Sequence, residues 1–474
     1  MRRLLAPLAA LALSGCVVGP NYVSPAPHQP AQAGFVSAGA PAFVPAEPPA
    51  DWWRLYDAPI LDRLVAEALA ANTDLRVAAA NLRQARAVLR ETRTQRLPTT
   101  EVNASAGYAR TAGSTVGTNG KGPEGDFYDV GLDLGYQIDL FGKIRRGIEA
   151  SRADVEAVQA AYDFTRVTIV AETIRAYADA CSAGARLAVA QESLRVQEQT
   201  FDLTRRLEAG GRGTGLDTSR AGALLEQTRA DLPTFEAAQR AALFRLSVLT
   251  GKPPADFPPE VAACTTPPTV ATPIPVGNGA TLLARRADVR EAERRLAAAT
   301  ARIGVATADL YPSVSIGGSV GSDANTPGGL FSGSGFHFSL GPLISWTFPN
   351  RAAAHARIAQ AEARTEAALA SFDGAWLVAL RDTETALTAY VALGQRVATL
   401  RRGRDQSAEA ARIARLRYRA GAESFQIVLD AERELAQSEA LLSAAQAQYS
   451  DATVTLFLAL GGGWQQQAAD RARP

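Results

Sequence analysis

Strict alternation between apolar and polar residues marks four short stretches of the chain. They cover 101–109, 127–140, 313–321 and 336–348. Because successive side chains of a strand point to opposite faces, this period of two predicts four β-strands, each with one apolar and one polar face. On the two longer strands the apolar positions are Tyr128, Val130, Leu132, Leu134, Tyr136, Ile138 and Leu140, and Phe336, Phe338, Leu340, Ile344, Trp346 and Phe348.

Longer stretches repeat apolar residues every three, four or seven positions and so predict helices. They cover 60–97, 143–208 and 216–249 in the first half of the chain, and 282–310, 351–419 and 425–460 in the second. The first helix of each half ends before a proline, Pro98 or Pro312, which a helix does not pass. The two longest helices are each expected to extend about 100 Å, and their alanine-rich sequences are typical of coiled-coil packing.

The two halves are copies of one pattern. A shift of 214 positions aligns Asp74 with Asp288 and Gly107 with Gly321 without a gap, and also superimposes the two prolines. The order of helix, two strands, long helix and return helix is the same in both halves. We therefore predict a duplicated domain with repeats at 51–260 and 282–464, a linker at 261–281 and a tail at 465–474.

The N-terminus has the pattern of an export signal. Arg2 and Arg3 precede an apolar run that is about half the length of a membrane-spanning helix. The run ends in LSGC, which resembles the cleavage motif of bacterial lipoproteins. We expect residues 1–15 to be removed and Cys16 to be lipidated; the alternative is a structural cysteine near an ordinary cleavage site. The proline- and alanine-rich segment 16–50 is predicted to be an extended tether.

Composition adds little specific chemistry. The 474 residues carry 49 basic and 48 acidic side chains, so no net field favours nucleic acid as a partner. Three histidines and three cysteines are too few and too scattered for a metal site, and we expect neither a metal nor a cofactor. No nucleophile, base and orienting group stand together in the sequence, so we do not expect an enzyme.

Alternating strands of about ten residues suit a transmembrane β-barrel, although one half-buried face of a soluble sheet is the commoner cause of alternation. Four strands do not close a barrel, and the smallest single-chain barrels have about eight. A membrane sheet of this kind therefore predicts an oligomer. Of the small oligomers, a trimer with its twelve strands leaves a lumen wide enough for solutes.

The order of the motifs resembles the TolC-like outer-membrane factors, or outer membrane efflux proteins, in their lipid-anchored OprM/NodT-type branch. The resemblance covers nearly the whole chain. The similar pieces, in chain order, are GCVVGPNY, WWRLYDAPILDRLVAEALAANTDLRVA, DLFGKIRR, LLARRADVREAERRLAAATARIGVATADLYPSVS, RYRAG, VLDAERELAQSE and LALGGGW.

This resemblance implies a mainly helical homotrimer with a twelve-stranded barrel in the outer membrane and an α-helical tunnel in the periplasm. Its implied function is passive exit of drugs or other small molecules. The implied partners are a periplasmic adaptor and an inner-membrane pump of the RND type, together with outer-membrane lipid. The alternative function is a periplasmic structural or adaptor coiled-coil lipoprotein.

The resemblance also implies functions for the two glycine-rich turns. Gly211 and Thr214, with Gly421 and Ser424, match the family's adaptor-contact motif, although glycine by itself explains the end of a helix. Charged and aromatic residues narrow the tunnel here in the family. The matching positions are Tyr418, Arg419, Asp430 and, as a weaker case, Asp217, for which the alternative is a solvated helix face.

Two further features bear on the fold. The family often has proline where this chain has Ala287, so the resemblance alone does not establish a bend of the chain before that helix. A periplasmic location permits a disulfide between Cys181 and Cys264, and the alternative is two separate buried thiols.

Overall fold

The structure is a computed structural model that describes residues 17–25, 34–110, 120–122, 124–349 and 351–462. The predicted signal segment, Cys16 and the predicted tail at 465–474 lie outside these residues. The chain divides into two compact units. Unit 1 comprises Met1–Pro25, Leu82–Val158 and Glu291–Asp373, and unit 2 comprises Ala26–Asn81, Gln159–Arg290 and Gly374–Pro474.

Helices form most of the described chain, and strands form a smaller part. The helices are α1 (Pro59–Ala71), α2 (Thr73–Thr94), α3 (Lys143–Ala209), α4 (Gly215–Leu249), α5 (Pro259–Ala262), α6 (Gly279–Arg285), α7 (Ala287–Ala308), α8 (Ala352–Arg419) and α9 (Phe425–Ala459). The strands are β1 (Phe43–Val44), β2 (Thr99–Arg110), β3 (Glu124–Ile138), β4 (Ile274–Pro275), β5 (Ser313–Ala324) and β6 (Phe336–Ser345). Among the described residues, no helix combines the length and the apolar character needed to span a membrane.

Unit 1 contains a four-stranded antiparallel sheet with the strand order β2-β3-β5-β6. Its register aligns side chains of one kind across all four strands. One row contains Val102, Leu132, Val320 and Phe338, and the next row contains Glu101, Asp133, Ser319 and Ser339. The large apolar side chains of the first row are exposed in the single chain, from 39% for Val320 to 74% for Phe338. One face is thus mainly apolar and the other mainly polar, as the alternation predicts, with Phe127 and Leu343 as apolar exceptions on the polar face.

The last strand is shorter than predicted. β6 ends at Ser345, whereas the alternation predicts a strand as far as 348. Trp346 instead donates a hydrogen bond from Nε1 to the carbonyl oxygen of Leu310 at 3.2 Å, and its ring stacks on Phe348 with the centroids 4.9 Å apart. The alternating apolar residues continue to Phe348, whereas strand pairing ends at Ser345, so the sequence pattern overestimated the length of the strand.

The first helix of each repeat is interrupted, which corrects the prediction of single helices at 60–97 and 282–310. Asn72 separates α1 from α2 with an extended backbone, φ −58° and ψ 133°. Its side-chain oxygen accepts from the amides of Asp74 and Leu75 at 2.9 and 3.2 Å, and its Nδ2 donates to the carbonyl of Leu249 at 3.1 Å. Asparagine caps a new helix well, so it stabilises the break.

Arg286 forms the corresponding break in the second repeat, with φ −67° and ψ 122°. Its guanidinium donates to the carbonyl of Ala459 at 3.3 Å, and Arg285 donates to that of Leu460 at 3.0 Å. Both acceptors are at the end of α9, where helix carbonyls lack partners within the helix. The break therefore exists without a proline at position 287, and two arginines bind the helix end beside it.

The prediction of an extended tether at 16–50 is wrong for residues 34–50, and Val18 and Tyr22 of the described residues 17–25 also make tertiary hydrogen bonds. β1 pairs in parallel with β4 of the predicted inter-repeat linker, and Phe43 is 8% exposed. Phe35 and Ile274 belong to the same buried cluster of unit 2. The composition indicates that this segment has too few apolar residues to fold alone. Two phenylalanines, Phe35 and Phe43, are enough to anchor it because the rest of the core comes from other segments.

The core of unit 2 surrounds a stacked aromatic pair. Trp52 and Phe457 are fully buried, and their ring centroids are 4.5 Å apart. Helices α1, α3, α4, α8 and α9 all contribute apolar side chains to this cluster. The cluster thus joins the N-terminal segment to both repeats.

A disulfide joins Cys181 of α3 to Cys264 of the linker, with Cα atoms 4.8 Å apart. The linker lies close to the helix here, because a Cβ on Gly184 would be 2.2 Å from the carbonyl oxygen of Cys264. Gln239 of α4 donates to the carbonyl of Ala262 at 2.9 Å. The bond closes a separation of 83 residues and holds the linker against two helices.

Loss of this disulfide is expected to destabilise unit 2. In Cys181→Ser the linker keeps its other contacts but the unfolded chain gains freedom, at a cost of about 2–5 kcal/mol. Thermal unfolding of the purified protein in detergent is expected to shift to lower temperature in Cys181→Ser and Cys264→Ser alike. Equal melting of native and reduced protein, or two reactive thiols in unreduced protein, contradicts this expectation.

Candidate functional site at the helix turns

Two helix turns in unit 2 have the same backbone geometry. Gly211 lies in the turn between α3 and α4, here called the first hairpin, and has φ 68°. Gly421 lies in the turn between α8 and α9, the second hairpin, and has φ 72°. In the first turn Arg212 donates to the carbonyl of Leu207 and Gly211 to that of Glu208, at 2.8 and 2.9 Å. The second turn repeats both bonds at 2.9 Å. This is the Schellman arrangement, in which a left-handed glycine satisfies the last helix carbonyls.

The turns are open to their surroundings. A Cβ added to Gly211 or Gly421 meets no atom within 4 Å, so backbone conformation rather than crowding demands glycine there. Thr214 and Ser424 are also exposed. The structure thus presents all four candidate docking residues on accessible turns.

The two hydroxyl residues differ in what they stabilise. Thr214 is the N-cap of α4, where its Oγ1 accepts from the amide of Asp217 at 3.2 Å and donates to the carboxylate of Asp217 at 2.7 Å. Ser424 is the N-cap of α9, but its side chain makes no capping hydrogen bond. The Ser424 hydroxyl is consequently available for another partner.

Contacts between the hairpins lie just inside the turns. Arg220 of α4 donates from Nη1 to Oε1 of Gln426 at 2.7 Å, and Gln426 donates from Nε2 to both carboxylate oxygens of Asp430 at 2.9 and 3.0 Å. Beneath this chain of polar groups, Phe425 is 4% exposed and packs against Tyr418 with ring centroids 5.4 Å apart. The Arg220–Gln426 bond joins the first hairpin to the second, and the other contacts lie within the second.

The four candidate gate residues do not form one cluster. Tyr418 is half-buried, and burial together with the nearby charge of Asp217 raises the pKa of its phenol. Asp430 instead pairs with Gln426, and Arg419 is exposed on the last turn of α8. Among the described residues no ion pair joins Arg419 to either aspartate. Among these four residues, the structure shows an electrostatic interaction between Tyr418 and Asp217 only.

A buried ion pair near the turns was not predicted. Arg415 of α8 donates from Nη1 to Oε1 of Glu432 at 2.8 Å, and Glu432 is 6% exposed. Burial raises the pKa of Glu432, although Arg415 opposes the shift. The signal was present in the sequence, because Glu432 follows Phe425, Val428 and Leu429 at helical spacing on the buried stripe of α9.

Comparison with known proteins identifies the fold. The family model described as outer membrane efflux protein matches residues 64–252 and 279–462. Outer membrane protein OprJ of Pseudomonas aeruginosa is 32% identical over 97% of this chain and 95% of its own length. Nodulation protein T of Rhizobium leguminosarum bv. trifolii is 29% identical, with 98% of each chain covered.

A solved structure agrees with the sequence comparisons. The outer-membrane channel OprN has a TM-score of 0.89 and 36% identity, over 95% of this chain and all of that chain. The structural neighbours include outer-membrane channels, and the family comprises outer-membrane channels rather than enzymes. The predicted resemblance, fold class and outer-membrane location are confirmed. This chain belongs to the outer membrane efflux protein family.

Proposed function

We propose that the protein is the outer-membrane exit duct of a tripartite efflux system. In this system a homotrimer receives drugs or other small molecules from a periplasmic adaptor and an inner-membrane pump of the RND type. The duct is passive, so energy and substrate choice belong to the pump. Cys16, cleaved from its signal and lipidated, adds an anchor on the periplasmic side.

The exposed apolar face of the sheet is the observation that carries this proposal. Strands β2 and β6 are the sheet's two edges, and within the described chain neither has a partner on its outer side. Lipid offers no hydrogen-bond partner to such an edge, so each edge requires another copy of the chain. A periplasmic coiled-coil lipoprotein does not require a sheet with an exposed apolar face and unpaired edges.

The polar face suits a water-filled lumen. Its positions include Gly317 and Gly341, where a Cβ meets nothing within 4 Å, and the Ser319 and Ser339 hydroxyls, which are 2.7 Å apart. Small side chains leave the interior open, and hydroxyls interact with water. Three such sheets enclose a channel, whereas two enclose only enough space for side chains.

The helix turns are the proposed docking surface for the adaptor. Gly211 and Gly421 fix the backbone, and Thr214 and Ser424 offer hydroxyls beside it. Tyr418, Arg419, Asp430 and Asp217 are the proposed periplasmic gate, in which Tyr418 and Asp217 act together and Asp430 acts through Gln426. An adaptor that competes for the Arg220–Gln426–Asp430 hydrogen bonds separates the hairpins and opens the gate.

Ser424→Ala is expected to weaken adaptor binding about tenfold without destabilising α9, because this hydroxyl caps nothing. Thr214→Ala also removes a helix cap, at a cost of about 1 kcal/mol, so it lowers stability as well. A photoreactive residue at Ser424 first identifies the adaptor by cross-linking and mass spectrometry. The affinity of that adaptor for each trimer is then measured.

Gln437→Ala, an exposed change on α9, is the control for this comparison. Unchanged adaptor affinity in Ser424→Ala rules out a docking function for this hydroxyl.

Removing the two gate carboxylates is expected to raise single-channel conductance. In the double variant, Asp430→Asn weakens the hold on Gln426, which accepts from Arg220 of the other hairpin. Asp217→Asn removes the charge near Tyr418 of the other hairpin, so the hairpins separate more easily. Conductance of the purified trimer in a planar bilayer is compared with that of Asp405→Asn, an exposed aspartate of α8. Equal conductance in all three proteins contradicts the gate, and no conductance in any of them contradicts the channel.

A further inference from the structure

The segment that directly follows Cys16 packs against the rest of unit 1. The amide of Val18 donates to the carbonyl of Phe141 at 3.2 Å. The guanidinium of Arg146 donates to the carbonyls of Val18 and Gly19, both at 3.1 Å, and to Oδ1 of Asn21 at 2.8 Å. One side chain thus holds three successive parts of the segment 17–21.

Arg146 is specialised for this contact. It is 3% exposed, and its remaining charge is balanced by Glu149 at 2.8 Å. It lies in the first turn of α3, where the helix dipole disfavours a cation and where no acidic residue is present. A guanidinium in that position is tolerated because it has acceptors in the N-terminal segment.

The surfaces of the segment and of unit 1 match closely. Gly19 has φ 87°, and a Cβ there would be 2.4 Å from Cα of Gly304. A Cβ on Gly304 would in turn be 2.8 Å from the side chain of Arg146. Gly142 has φ 77° and lies against Val17, where an added Cβ would be 2.8 Å from the Val17 side chain. Glycines therefore let the two backbones approach.

A second contact holds the next residues. The hydroxyls of Tyr22 and Ser24 donate to Oε1 of Glu293 at 3.0 and 2.8 Å, and Arg294 lies over the Tyr22 ring at 5.6 Å. Burial raises the pKa of Tyr22 to about 12, which keeps the phenol protonated as a donor. Burial opposes ionisation of Glu293, but hydrogen bonds from Arg294, Ser24 and Tyr22 lower its pKa overall.

These contacts fix the position of Val17, the residue that follows Cys16 in the sequence. Because consecutive Cα atoms are about 3.8 Å apart, a group attached to the preceding residue starts close to Val17. Val17 contacts Gly142, which follows the end of β3 at Ile138 by only four positions. Phe141, between them, stacks on Tyr311 at 4.5 Å. Val17 is thus held at the end of the sheet that joins α3.

We propose that Arg146 and its acceptors in 17–21, the Arg146 clasp, position the lipid of Cys16 beside the base of the sheet, where it orients the strands during trimer assembly. This inference rests on the proposed lipidation of Cys16. A flexible tether allows the lipid to enter the membrane at any distance its length permits. The clasp removes that freedom, so Arg146 is a positioning residue for assembly.

A double-mutant comparison tests this proposal. Arg146→Ala is made in the full chain and in a Cys16→Ala form exported by a signal that gives no lipid. Formation of SDS-resistant trimer in membranes is expected to be about tenfold slower for Arg146→Ala in the lipidated chain, since several charged hydrogen bonds are lost. No further slowing is expected in the unlipidated chain, because there is no lipid to position.

Two further variants separate positioning from folding. Arg152→Ala, an exposed arginine of the same helix, is expected to assemble at the native rate. Arg146→Lys keeps the charge but lacks the guanidinium fork, so partial rescue is expected. A spin label at Val23, which is 81% exposed, is expected to become more mobile in Arg146→Ala than in the native chain.

Equal slowing by Arg146→Ala in both backgrounds overturns the proposal and leaves only a structural role for the clasp. An unchanged mobility at Val23 overturns it as well. Intact mass of the mature protein is measured independently. An unmodified Cys16 refutes the lipidation itself and the clasp's function with it, whereas a modified Cys16 with equal slowing refutes the clasp alone.

Discussion

Backbone hydrogen bonding at the edges of a four-stranded sheet constrains the whole molecule. β2 and β6 each have a neighbour on one side only within the described chain, and the face they share carries exposed apolar residues such as Val102 and Phe338. In water this surface aggregates, and in lipid the open edges have no partner. Both problems end when copies of the chain pair edge to edge, as they do in the proposed trimer.

The long helices place two turns of the same backbone geometry at the ends of the hairpins. Each repeat sends a helix of nearly seventy residues to a Schellman turn and back, so the two turns present equivalent backbones. The hairpins are joined by few polar contacts near those turns, chiefly Arg220 with Gln426. A link of this kind is exchangeable, because a partner offering equivalent hydrogen bonds replaces it at little cost. An exit duct needs an end at which the two hairpins can move apart.

The sequence predicted features that depend on local pattern. Strands followed from alternation, and the turns followed from glycine at helix ends. The breaks at Asn72 and Arg286 were missed because their hydrogen bonds reach residues more than 170 positions away. The segment before residue 50 was misread because composition does not reveal that Phe35 and Phe43 enter a core built elsewhere. At the candidate site, the Arg220–Gln426 contact likewise depends on the packing of separate hairpins.

The central claim is that the polar face of the sheet lines the channel and the apolar face contacts lipid. Cysteine accessibility in a conducting trimer tests it most directly. Ser319 and Val320 are neighbours on β5 that belong to the polar and apolar faces respectively. In planar bilayers, a charged thiol reagent is predicted to change the current through Ser319→Cys trimers and to leave Val320→Cys and unsubstituted trimers unchanged. A response of Val320→Cys without one of Ser319→Cys contradicts the account.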